Sequence, residues 1–181
     1  MTETTLTASL APIDKAGLNA LIAKGKADPT QVRTVKVRTV AEARFRHLNF
    51  VRNLPAHVID EPPQLLGDDT APNPSEALLA ALGSCLAVGV HANAVARGIA
   101  IRSLAVELEG DINITSVWGT GDIGTGDTGP KPVGFTAVRA RVLLDAEADR
   151  EALDELVAHA VAWSPVAGTV RSPVPVDVTL A

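Results

Sequence analysis

One cysteine, Cys85, and four histidines, at 47, 57, 91 and 159, are the residues of this 181-residue chain best suited to covalent or metal chemistry. A single thiol excludes an intrachain disulfide and a zinc centre made of several cysteines. The histidines show no two-ligand helical spacing. Cys85 and His91 are six residues apart, about 240° around a helix, so they face away from each other. No Gly-x-Ser-x-Gly elbow is present, which argues against an ordinary serine hydrolase. Two glycine patterns, Gly119-Thr-Gly121-Asp-Ile-Gly124 and Gly124-Thr-Gly126-Asp-Thr-Gly129, match a dinucleotide fingerprint. Pro130-Lys131-Pro132 follows them and cannot open the helix that must hold a pyrophosphate, while Asp122 and Asp127 repel phosphate. These glycines read as a loop. Taken alone, Cys85 reads as a buried, inert thiol. It becomes a reactive thiolate only if a cation, with Arg the first candidate, is brought to it.

The element that positions Cys85 is a long apolar helix. Asn73 is an N-cap, Pro74 the first helical residue and Glu76 the third, which is a capping-box pattern. Gly98 is the expected stop after Arg97. Cys85 lies roughly 18 Å past the cap at 1.5 Å per residue, beyond the reach of the helix dipole. Leu78, Leu79, Leu82, Leu86, Val88, Val90 and Val95 point all round the axis, and one sheet can cover only one face. Either a second subunit or the later amphipathic helix must cover the rest.

Other elements follow from periodicity. Ile13–Lys26 reads as a short amphipathic helix ended by Asp28-Pro29. Gln31–Ala41 and Arg44–Arg52 read as strands, His57–Ile59 as a short strand and 60–74 as a loop. Ile101–Glu109 and Phe135–Leu144 alternate as strands around a glycine-rich insertion at 110–134. A helix from about Ala146 to Ala162 is closed by Pro165, and Val174–Leu180 reads as a final strand. Runs of strands separated by single helices predict an α+β fold with antiparallel sheets. Residues 1–30 form an N-terminal extension with a short helix, and 31–181 the main domain.

Composition bounds the partners. Apolar residues make up 46% of the chain and charged residues 20%, enough for a core and too apolar for disorder. The net charge of −5 is a poor match for nucleic acid or an anionic membrane. Ala77–Ala96 has no charged residue and is long enough to span a bilayer. It is rich in Ala, carries Gly83, Ser84, His91 and Asn93, and lacks aromatic belts, so it reads as a buried helix of a soluble protein. Met1–Pro12 has neither Lys nor Arg and no apolar core, so a cytoplasmic location is expected. The basic stretch Val32–Arg52 could meet an anionic ligand or simply form a solvated sheet face.

The run from Asp60 through Gly67-Asp-Asp-Thr-Ala-Pro-Asn73-Pro-Ser-Glu76 to Gly83-Ser-Cys85-Leu resembles the OsmC/Ohr family, as a divergent single-cysteine member. Trp163-Ser164-Pro165-Val166-Ala-Gly-Thr-Val170 is similar to its second signature, normally Cys-Pro-Val. The resemblance covers roughly residues 32–181. It implies an OsmC-like fold in which antiparallel sheets wrap around long central helices in an intertwined homodimer, with sites between subunits. It also implies a thiol peroxidase reducing organic hydroperoxides, without metal or cofactor.

Carried over by residue, Cys85 takes the attacking position. Ser164 stands where the family has its resolving cysteine, and a hydroxyl cannot close a disulfide. Strict spacing places the family's helix-start glutamate at Ser75; Glu76 is one residue later and also serves as a cap. The family's arginine precedes the helix, with Arg52 the first choice here and Arg46 the second. Two functions remain. One is a one-cysteine peroxidase served by an external thiol reductant. The other is a non-catalytic dimer that binds a small apolar or electrophilic ligand between subunits.

Overall fold

The computed structural model describes residues 10–11, 13–113 and 134–180. The first helix, α1, spans Lys15–Ala27. Asp14 caps it, accepting hydrogen bonds from the backbone N–H groups of Ala16 and Gly17. Three antiparallel strands follow: β1 (Arg38–Ala43), β2 (Arg46–Phe50) and β3 (His57–Ile59), in the order β1-β2-β3. Two residues join β1 to β2, and Arg44 takes the left-handed conformation with φ 48°. The strand expected over Gln31–Ala41 therefore starts later. Val32, Val35 and Val37 lie outside any ladder and are exposed. An alternating pattern specifies a face but cannot supply the neighbouring strand.

The central helix α2 spans Pro74–Arg97 and has the expected ends. Asn73 Oδ1 accepts from the Glu76 N–H at 2.8 Å, and Glu76 Oε2 accepts from the Asn73 N–H at 2.8 Å. Gly98 closes the helix at φ 77°, a conformation that glycine adopts without strain. β4 (Ile101–Ile112) and β5 (Phe135–Ala146) form a separate antiparallel hairpin. Gly110–Ile112 are thus strand rather than loop. A side chain at Gly110 would collide with the Phe135 ring across the ladder. The glycine motifs at 119–129 lie outside the described residues.

α3 (Arg150–Ala162) starts under an Asp149 cap, four residues later than expected, because Ala146 is still paired with Ile101. Pro165 does not merely end α3; it opens a further short helix, α4 (Pro165–Arg171), capped by Ser164. Pro at the first helical position loses no hydrogen bond, so Ser-Pro is a start signal as well as a stop. The expected strand at Val174–Leu180 does not form: the segment is exposed and unpaired.

α2 packs against β4, α3, α4 and α1. One core cluster joins Val90 and Ala94 of α2 to Leu156 and Ala160 of α3, over Leu104 and Leu144 of the hairpin. The second joins Leu82 and Leu86 to Ala167 of α4, with Val106 and Leu108 beneath. Gly83 and Gly89 permit the close approach. A Cβ would lie 2.6 Å from Leu108 Cδ1 at the first and 3.2 Å from Ala160 Cβ at the second. The architecture is mixed α+β, with antiparallel sheets and one long central helix. The β1–β3 sheet has no extensive packing on α2 in the single chain. α2 is also the one described helix long and apolar enough to cross a membrane.

Candidate functional site around Cys85 and Ser164

α2 carries Cys85 at mid-length, and the chain returns to it 79 residues later. Ser164 Oγ donates a hydrogen bond to Cys85 Sγ at 3.1 Å. Ser164 is 5% exposed, and its oxygen also accepts from the Ala167 N–H at 3.1 Å as the cap of α4. The two residues meet because α4 lies antiparallel on α2. Ser164 meets Cys85, Ala167 packs with Leu82, and Thr169 to Arg171 share a cavity with Leu78. Cys85 itself is half-buried. Beside Ser164, Trp163 is 77% exposed and tilts against His159 with ring centroids 6.2 Å apart.

The other candidate residues stand elsewhere. Glu76 is engaged in the capping box. The Arg46 guanidinium bonds Glu42 at 2.6 Å and the Thr70 hydroxyl at 2.7 Å, which ties β2 to the loop before α2. Arg52 is exposed in the turn after β2, closed by the Leu54 N–H on the Val51 carbonyl at 3.1 Å, and takes φ 50°. A bulky residue rarely occupies that left-handed region. Arg52 has no described hydrogen bond or ion pair. Neither Arg46 nor Arg52 has a described contact with Cys85.

The loop 60–72 holds residues that the sequence did not single out. Asp60 is 1% exposed. Its carboxylate accepts from the Thr70 hydroxyl at 2.7 Å, the Thr70 N–H at 3.0 Å and the Glu61 N–H at 2.8 Å. These donors, the Thr70 hydroxyl first, lower its pKa from 3.8 to about 2. Glu61 is the reverse case. Burial, then the charges of Glu76 and Asp60, push its carboxyl above the ordinary 4.5, against a smaller pull from His47. Its Oε2 is buried without a hydrogen-bond partner among the described residues. The one sequence signal is a pair of acids, Asp60-Glu61, directly after β3. Gly67 completes the loop, because a side chain there would strike the Glu61 carbonyl.

A cavity of about 550 Å³ opens two helical turns from Cys85, walled by Leu78, Phe135, Val138, Val170 and Arg171. Among the described residues, no three His, Cys, Asp or Glu converge as a metal site. On the hairpin, Arg139 pairs with Asp111 and Glu109, and Arg141 with Glu107. These are exposed pairs of small energetic weight.

A family model described as OsmC-like protein matches residues 67–179. Several solved structures share the fold. An OsmC-like protein from Mycoplasma pneumoniae has a TM-score of 0.64 at 14% identity, covering 79% of this chain and 91% of that one. The Legionella pneumophila organic hydroperoxide resistance protein OsmC, also described as a predicted redox protein, has 0.54 at 15%, with 78% and 92% covered. A Vibrio cholerae putative organic hydroperoxide resistance protein, with captopril bound in one of its active sites, has 0.51 at 18%, with 80% and 90% covered. No curated protein matches the chain. At these identities the structural likeness is one of fold. Because the family model spans well over half of its length, the chain belongs to the OsmC family.

Proposed function

We propose that this protein reduces organic hydroperoxides with a single reactive cysteine and an external thiol. The observation that carries the reading is the Ser164–Cys85 contact at 3.1 Å. Two segments that resemble the family's reactive signatures meet in space, with a hydroxyl in place of the second thiol. The organic hydroperoxide resistance proteins that share the fold support the substrate class.

In the proposed cycle the Cys85 thiolate attacks the distal peroxide oxygen. The O–O bond breaks, the alkoxide leaves and takes a proton to become an alcohol, and Cys85 becomes a sulfenic acid. An external thiol displaces water from it to give a mixed disulfide. A second thiol then attacks the outer sulfur and restores Cys85. Ser164 has no thiol with which to intercept the sulfenic acid.

The cation comes from a second copy of the chain. The β1–β3 sheet has no extensive packing on its own α2, and the left-handed Arg52, without a described hydrogen bond or ion pair, stands in the turn after β2. In an intertwined homodimer this sheet covers the partner's helix and brings Arg52 to the partner's thiolate. Glu76 orients that guanidinium while keeping its cap. Arg46 remains a structural tie. The cytoplasm, with its thiol pool, is the compartment this chemistry requires.

The cavity beside Leu78 and Phe135 favours a second reading, in which the dimer binds a small apolar ligand without turnover. Stopped-flow mixing with cumene hydroperoxide, followed by mass spectrometry of Cys85, separates the two. The peroxidase reading expects a sulfenic acid to form faster than on a free cysteine. No adduct at Cys85 rejects it and leaves ligand binding.

A further inference from the structure

We infer that Ser164 is the hydrogen-bond donor that holds the Cys85 sulfur in its anionic form, so that this chain uses a hydroxyl to tune its one thiol. The inference rests on Cys85 being the reacting group. A serine hydroxyl has one proton and two lone pairs. The Ala167 N–H occupies one lone pair at 3.1 Å and fixes the oxygen as the α4 cap. The proton then lies toward Sγ, 3.1 Å away. At 5% exposure, little water competes for it.

The opposite arrangement has the opposite consequence. If the thiol donated to the Ser164 oxygen, the contact would favour the neutral sulfur. A hydroxyl is a stronger donor than a thiol, and an O–H···S bond strengthens when the sulfur ionises, so a bond donated by Ser164 favours the anion. Charged and titratable groups on the elements packed around α2 are engaged elsewhere. His159 of α3 lies against Trp163, and Glu155 of α3 meets Arg97 at 4.0 Å. Arg171 of α4 donates to the Ala167 and Val161 carbonyls, each at 3.3 Å. Glu107 and Glu109 of β4 pair with Arg141 and Arg139. Lys15 of α1 lies near Gly98, at the far end of α2. None of these has a described contact with Cys85, nor has His91 on α2 itself.

The test is thiol alkylation of the full-length protein across pH, without peroxide. Ser164→Ala is expected to slow iodoacetamide labelling at pH 7 by about tenfold and move the profile to higher pH by about one unit. Ser164→Thr, which keeps both the hydroxyl and the cap, restores it. A merely structural role for Ser164 lowers Tm without moving the profile. Unchanged or faster labelling of Ser164→Ala overturns the inference. The wild-type protein gives a check that no variant's folding can confuse. Its iodoacetamide labelling at pH 7 is expected to outpace that of a free cysteine, and labelling no faster than the free thiol overturns the inference. A shifted profile with no reaction toward cumene hydroperoxide rejects the peroxidase proposal alone.

Discussion

At the scale of single residues, the loop before α2 sets two carboxyl groups against each other, and acid titration separates them. Asp60 has a lowered folded-state pKa of about 2, so its stabilising effect is full above pH 3.8 and is lost as pH falls through about 2. Asp60→Asn is therefore expected to lower Tm at neutral pH, by an amount that shrinks toward pH 2. Glu61 has a raised folded-state pKa, so its ionisation opposes folding. Glu61→Gln is expected to raise Tm at pH 7, with the gain vanishing below the ordinary value of 4.5. Thermal unfolding followed by circular dichroism between pH 2 and 7 reads both. A Glu61→Gln variant that is less stable than wild type at pH 7 means that its carboxylate has a partner. Neither role was legible beforehand. Two of the three donors that grip Asp60 come from Thr70, and only the closed loop places it there. Cys85 and Ser164 show the same limit. Each lies in a recognisable signature, yet nothing in the residues between them fixes a 3.1 Å contact.

Among elements, α2 was the most legible because its ends are written locally. Asn73, Pro74, Glu76 and Gly98 all occupy their preferred positions, and all four act as expected. Asn73→Ala removes the side-chain half of the capping box, leaving the backbone N–H of that position to Glu76, and is expected to cost about 1 kcal/mol, measured by urea unfolding. A negligible loss would mean that tertiary packing alone fixes the helix start. The terminal segments were misread for a physical reason. Val174, Val176 and Val178 alternate as a half-buried strand does, but alternation is silent about which edge receives it. Ser164-Pro165 was read as a stop because α3 ends there; the same pair is a start signal once the chain turns back.

For the whole molecule, a large apolar surface lacks cover. Leu78 and Val88 of α2 are 43% and 67% exposed, and the valines at 174, 176 and 178 exceed half exposure. Scattered apolar residues are ordinary on a surface, but a helix this apolar is not left bare. The proposed homodimer is expected to give twice 18.7 kDa by light scattering. Val88→Asp is expected to shift that mass toward the monomer and lower Tm. A wild-type protein at 18.7 kDa removes the dimer, and with it the route by which Arg52 reaches a thiolate. One consequence follows from the oxygen that both caps α4 and touches the sulfur. An adduct on Cys85 that pushes that oxygen aside deprives the seven-residue helix of the bond at its first turn. Backbone amides of residues 166–171, the Ala167 N–H first, should thus exchange with deuterium faster once the sulfur is occupied, so the state of one atom is legible from the fraying of its neighbour.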